Sequence, residues 1–137
     1  MKKLLLAGIF MLSLNGLFAQ MGEVWPVFSR QDFDVNDKIE ITNTYEVSSV
    51  CQFFMFVNNN EFVHVTDNMT SLYKIIKRDE SKAGEPLYTV VSEAGNTYSY
   101  IFNSNTKTVY AYSTKGFLIE WKGLDHYTTE IFSNLNK

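Results

Sequence analysis

The stretch LYTVVSEAGNTYSYIFNSNTKTVYAYSTKGFLIEW, residues 87–121, decides the fold class. It holds four short runs rich in β-branched and aromatic residues: 87–91, 97–102, 108–112 and 117–121. They are parted by Glu93-Ala94-Gly95-Asn96, Asn103-Ser104-Asn105 and Ser113-Thr114-Lys115-Gly116. Runs of this composition, bounded by Gly, Asn and Ser, predict an antiparallel β-meander.

Alternation along each strand then predicts which side chains share a face. A three-residue loop over Ser104 to Thr106, with Asn105 left-handed, pairs Asn103 with Lys107 and sets Tyr98, Tyr100 and Phe102 against Tyr112, Tyr110 and Thr108. A turn over Glu93 to Asn96 pairs Ser92 with Thr97 and adds Leu87, Thr89 and Val91. A loop from Ser113 to Gly116, with Gly116 at positive φ, brings in Phe117, Ile119 and Trp121; a loop one residue shorter sends them to the other face. The expected aromatic face therefore carries Tyr98, Tyr100, Phe102, Tyr110, Tyr112 and Trp121 as candidate ligand-binding residues. Three readings are open: a packed core with phenol groups at its rim, a cavity for an apolar or ring-shaped ligand, or a surface for a protein partner.

Working outward, residues 38–47 alternate, with Ile39, Ile41, Tyr45 and Val47 on one side, and predict a half-buried strand. Residues 50–57 are apolar on both faces and predict a central strand. Asn58-Asn59-Asn60 turns the chain into a return strand over 61–66. Pairing Val57 with Glu61 places His64 opposite Phe54, with Gln52 and Phe62 on the same face and Cys51 on the other. A strand over 71–78 and a polar loop over 79–86 lead into the meander. About eight strands at this spacing predict an all-β, up-and-down antiparallel barrel, with a β-sandwich as the alternative. Trp25 and Phe28 are expected to plug one end or cross an edge, because Pro26 is a poor central-strand residue. After Gly123 the pattern changes: Tyr127, Ile131 and Leu135 recur at helical spacing, and Asp125 or Thr128 is a candidate cap for a short C-terminal helix. A barrel followed by a helix resembles the calycins in outline, while Gly22-x-x-Trp25 departs from the Gly-x-Trp element of the lipocalins, so no family is assigned.

The N-terminus reads as a secretory signal peptide: Met1-Lys2-Lys3, an apolar run from Leu4 to Leu12, and Ala19 before the expected cut. The expected organisation is a leader over 1–19 and a single β-rich domain over 20–137, bacterial in style and exported to the periplasm or beyond. The leader is too short and too interrupted by Ser13 and Asn15 to be read as a spanning helix. Two of the 12 Lys and Arg lie in it, leaving 10 against 15 Asp and Glu, a net charge of −5. That balance argues against nucleic acid and anionic lipid as partners; an envelope protein or a small apolar ligand suits it better.

Catalytic and metal signals are thin. Cys51 stands alone, so no internal disulfide forms, and it is expected to be structural. His64 and His126 are isolated, no phosphate loop, nucleophile elbow or His-Glu-x-x-His occurs, and no cofactor is implied. Asp32, Asp34 and Asn36 match the opening of a calcium loop, but Asp37 replaces the turn glycine and Asn43 the closing glutamate, so an acidic turn is expected instead. The reading that results is a non-enzymatic, exported barrel that binds a small apolar or aromatic ligand; an envelope or extracellular interaction module, an inhibitor or assembly subunit, is the alternative, and a small hydrolase the third.

Overall fold

Short apolar runs between turn residues cannot bury a face alone, so each strand must pair on both edges. The computed structural model describes residues 22–123; the leader, the helix expected near 125–135 and His126 lie outside them. The described chain is all-β: β1 (Val24–Val35), β2 (Ile41–Thr44), β3 (Ser48–Asn58), β4 (Glu61–Val65), β5 (Thr70–Asp79), β6 (Leu87–Ser92), β7 (Thr97–Asn103), β8 (Thr108–Ser113) and β9 (Phe117–Gly123). All pairings are antiparallel. β1 and β3 to β9 follow one another round a barrel that the β1–β9 ladder closes, and β2 is an extra strand on β1.

The meander forms, but its loops differ from expectation by one residue each. Between β6 and β7, Val91 pairs with Thr97, because Gly95 at φ 84° closes a three-residue loop over Glu93 to Gly95. Tyr88 and Val90 therefore face inward in place of Leu87, Thr89 and Val91. Between β7 and β8, Asn103 pairs with Thr108 across four residues; the left-handed residue is Lys107, φ 52°, not Asn105. The Asn103 side chain fixes this loop by accepting from the backbone N–H of Asn105 (3.0 Å) and Thr106 (3.2 Å). The shift turns β8 over: Val109 and Ala111 are buried, and Tyr110 and Tyr112 point outward. Between β8 and β9 the loop is Thr114 to Gly116, with Gly116 at φ 108°. The two slips cancel, so Phe117, Ile119 and Trp121 rejoin Tyr98, Tyr100 and Phe102 on the inner face.

The barrel is filled at mid-height by rings. Trp25, Phe54, Phe56, Phe62, Tyr88 and Tyr100 gather round Phe102 at centroid separations of 4.9–6.2 Å, mostly edge to face. Such pairs add to the area term because the rim of one ring meets the face of the next. Trp25 is thus core, carried by β1 itself. Pro26 is tolerated within β1 because the ladder to β9 starts at Val27↔Gly123, leaving its missing N–H without a rung to break.

Two features of β1 depart from regular geometry. Its register shifts between Val27 and Ser29 against both neighbours. A bulge of this kind re-aims the side chains beyond it. Arg30 and Asp32 then pair with the inward-facing Trp121 and Ile119, so Asp32 and Asp34 belong to a strand, not to an acidic turn. Beyond β1, Asn36 accepts from the backbone N–H of Lys38 and Glu40 and closes a tight loop in which Ile39 has φ 61°. β2 is exposed throughout. The half-buried strand expected over 38–47 is thus a short outer strand, because β3 already occupies the barrel edge of β1.

Two stability outcomes follow from this packing. Phe102→Ala is expected to cost about 3–5 kcal/mol in urea unfolding, as for other buried aromatic truncations. Ile39→Gly is expected to gain about 1 kcal/mol by relieving a left-handed β-branched residue.

Candidate functional site

Above the ring plug the lumen widens into a cup of about 210 Å³ lined by Arg30, His64, Tyr73, Tyr98, Tyr100, Ala111, Phe117, Ile119 and Trp121. Residues from six strands converge here. Ala111 leaves the space: it is the small member of the wall, paired across the ladders with Tyr100 and Ile119. The size is below the roughly 300 Å³ at which sites for drug-sized ligands begin, and below the several hundred Å³ that a larger ligand would demand.

The wall sets ring faces beside polar groups, and the polar groups make up the larger share of its exposed surface. Trp121 stacks on Tyr100 at 6.4 Å and 9° and meets Phe54 edge-on at 5.1 Å. Arg30 lies over Trp121 at 5.6 Å from the ring centroid. Its Nε and Nη2 donate to the two carboxylate oxygens of Asp32 at 2.7 and 3.0 Å. Burial holds the Tyr100 phenol well above its usual range, and its hydrogen bond with Tyr73 adds to this.

His64 is 8% exposed, stacked on Phe54 at 4.2 Å, with Nε2 2.8 Å from Oε1 of Gln52. Burial lowers its pKa to about 4, and the nearby Arg30 charge pushes the same way. At neutral pH it is therefore an uncharged ring with a fixed hydrogen bond. A general base works best with a pKa near the operating pH, and His64 is far below it.

Of the six residues that the alternation pattern selects, Tyr98, Tyr100 and Trp121 meet in this cup. Phe102 sits beneath, in the plug. It also lines a second pocket of about 210 Å³ at the opposite end, with Glu23, Trp25, Phe56, Pro86, Tyr88 and Ser104. Tyr110 and Tyr112 take no part, because the β7–β8 loop turns them outside. Partial burial and the neighbouring Glu120, its cross-strand partner, push the Tyr110 phenol up to about 12. Arg30, His64 and Tyr73 are the wall residues that alternation within the meander could not supply. His64 was traceable from the β3–β4 pairing; Arg30 depends on the bulge, which leaves no clear mark in the sequence.

Elsewhere, an apolar groove of about 490 Å³ runs over the outside of β1, β3 and β4, lined by Val24, Pro26, Phe28, Cys51, Phe53 and Val65 among others. Cys51 is exposed there, not a buried structural thiol. The calcium-like oxygens are engaged separately. Asp32 holds Arg30, Asp34 accepts from the Tyr45 hydroxyl at 2.8 Å, and Asn36 caps its own loop. No group of His, Cys, Asp and Glu suited to a metal occurs among the described residues, and no described helix is long and apolar enough to cross a membrane. Comparison of the chain with protein-family models, with curated proteins and with solved structures gives no match.

His64 makes stability pH-dependent. Its folded pKa lies below the unfolded value of 6.5, so the folded state binds fewer protons between those limits and stability rises with pH across them. The contribution is complete above about pH 6.5 and gone below about pH 4, roughly 3 kcal/mol in all. Urea unfolding at about pH 7 and about pH 4.5 should show His64→Gln losing roughly 2 kcal/mol less than the unaltered protein on acidification.

Proposed function

We propose that this chain is an exported, non-enzymatic binding protein that holds a small apolar or aromatic ligand in the cup above the ring plug. The observation that carries the reading is the wall itself. Tyr73, Tyr98, Tyr100, Phe117 and Trp121 line a space that Ala111 leaves unfilled, with Arg30 and phenol groups at hand to orient an occupant. Small-molecule sites are usually concave and combine apolar faces with convergent polar groups; here both are present and the polar share is the larger. The volume limits the occupant to a single ring system or a short chain. The basic, apolar leader at residues 1–19 supports export to the periplasm or the extracellular space. The acidic balance of the rest supports a small molecule or an envelope protein as partner over nucleic acid.

A second reading has its own observation. The outer groove on β1, β3 and β4 and the exposed strand β2 suit an envelope or extracellular interaction module, since apolar grooves and free sheet edges are common docking sites. Trp25 would contribute nothing to such a surface, being 6% exposed.

Native mass spectrometry of the protein purified from its own envelope separates the two. A retained small-molecule mass favours the cup, and a stoichiometric protein partner with no such mass favours the outer face. A direct check is Ala111→Phe, which fills the cup. Adduct retention is expected to vanish, while unfolding free energy stays within about 1 kcal/mol because the new ring enters existing space. Undiminished retention would remove the cup from consideration.

A further inference from the structure

Given that the cup is the ligand site, we infer that its ligand carries a carboxylate, received by the end-on edge of Arg30. Among the described residues, Arg30 is the only charged side chain that lines the cup; no described Asp or Glu lines it. The other polar wall groups are phenols and a histidine that stays neutral at physiological pH. The positive charge is felt across the space, since Arg30 lowers the proton affinity of both His64 and Tyr100. Asp32 balances this charge overall, but its carboxylate is not in the wall, so the charged group presented to the cup is the guanidinium.

The guanidinium is also prepared geometrically. It has two edges that can each grip a carboxylate with a pair of N–H groups. Asp32 takes the side edge through Nε and Nη2. The other edge, Nη1 with the second hydrogen of Nη2, donates to no described residue. Asp32 and the Trp121 ring together hold the plane of the group in place, so little freedom is left to lose when a second carboxylate arrives. The arginine side chain is still 35% exposed, which leaves it reachable. Trp121, beneath it, has a buried Nε1–H with no acceptor among the described residues. The inferred occupant is therefore a flat or short apolar body with an acidic head: the body lies against Trp121, Phe117 and the tyrosines, and the head sits at Arg30.

The test compares benzoate, benzamide and benzylamine, which share a ring and differ in the head group. Binding to the unaltered protein is measured by calorimetry, with NMR shifts of the Trp121 indole locating the site. Benzoate is expected to bind roughly tenfold or more tightly than benzamide, the usual return of a charge-assisted pair over a neutral one, and benzylamine most weakly. Arg30→Gln is expected to lower benzoate to the level of benzamide, with a larger loss for benzoate than for benzamide. Equal affinities for benzoate and benzamide, or tightest binding of benzylamine, would overturn the carboxylate and leave the cup standing as a site for rings. Absence of saturable binding by all three would remove both readings. The head-group comparison uses the unaltered chain, so it holds even where Arg30→Gln fails to fold.

Discussion

Edge-to-face contact between buried rings, centred on Phe102, is the constraint from which the rest of the molecule follows. An eight-stranded barrel encloses just enough space for side chains to fill. Here the filling is uneven along the axis. Rings from β1, β3, β4, β6 and β7 converge round Phe102, which lies between two separate pockets. The lumen is thereby divided into two small pockets instead of one deep calyx. The size limit on any occupant is set by where the plug stops, and the floor of the upper cup is the packed core itself.

The second determinant is a local irregularity. Without the register shift in β1, the residues that follow Ser29 would keep the alternation of Trp25 and Val27, and Arg30 would face solvent. The shift puts it opposite Trp121 instead. An arginine at the edge of an aromatic interior needs a counter-charge, and Asp32, two residues along the same strand, supplies it. One bulge thus sets Arg30 in the wall of the cup and Asp32, its counter-charge, beside it. β-Bulges are enriched beside functional sites for this reason: they aim side chains that a regular ladder would send elsewhere.

Much of the architecture was legible in residue order. The turns at Asn58-Asn59-Asn60, Gly95 and Gly116 and the β-branched runs between them define strands close to those observed, and Phe54 opposite His64 follows from the β3–β4 hairpin alone. What the sequence leaves open is loop length to within one residue, and one residue decides the face. Asn103 can support a three- or a four-residue loop; its side chain bonds to Asn105 and Thr106 select the longer one and send Tyr110 and Tyr112 outside. The inner face of β9 follows from two one-residue slips that cancel, so alternation leads to Trp121 on the inside although neither loop has the expected length. Ile39 and Ile41 alternate as a buried strand should, yet Ile39 lies in the loop closed by Asn36 and Ile41 on the outer strand β2. The competition for the edge of β1 is tertiary, and periodicity does not record it.

The tyrosines show why composition alone could not separate core from site. Tyr88, Tyr100 and Tyr98 all face inward, but their exposure rises from 0% and 3% to half-buried as they approach the cup. A phenol deep in the barrel must find its partner among neighbours, as Tyr100 does in Tyr73. One at the mouth keeps its hydroxyl available to whatever enters. The same residue type is therefore packing at one depth and recognition surface at another. Depth along the axis is fixed by strand stagger and by the ring plug. The chemistry of the upper end thus rests on the hydrophobic packing below it, and a change that loosens the plug would also move the groups that line the cup.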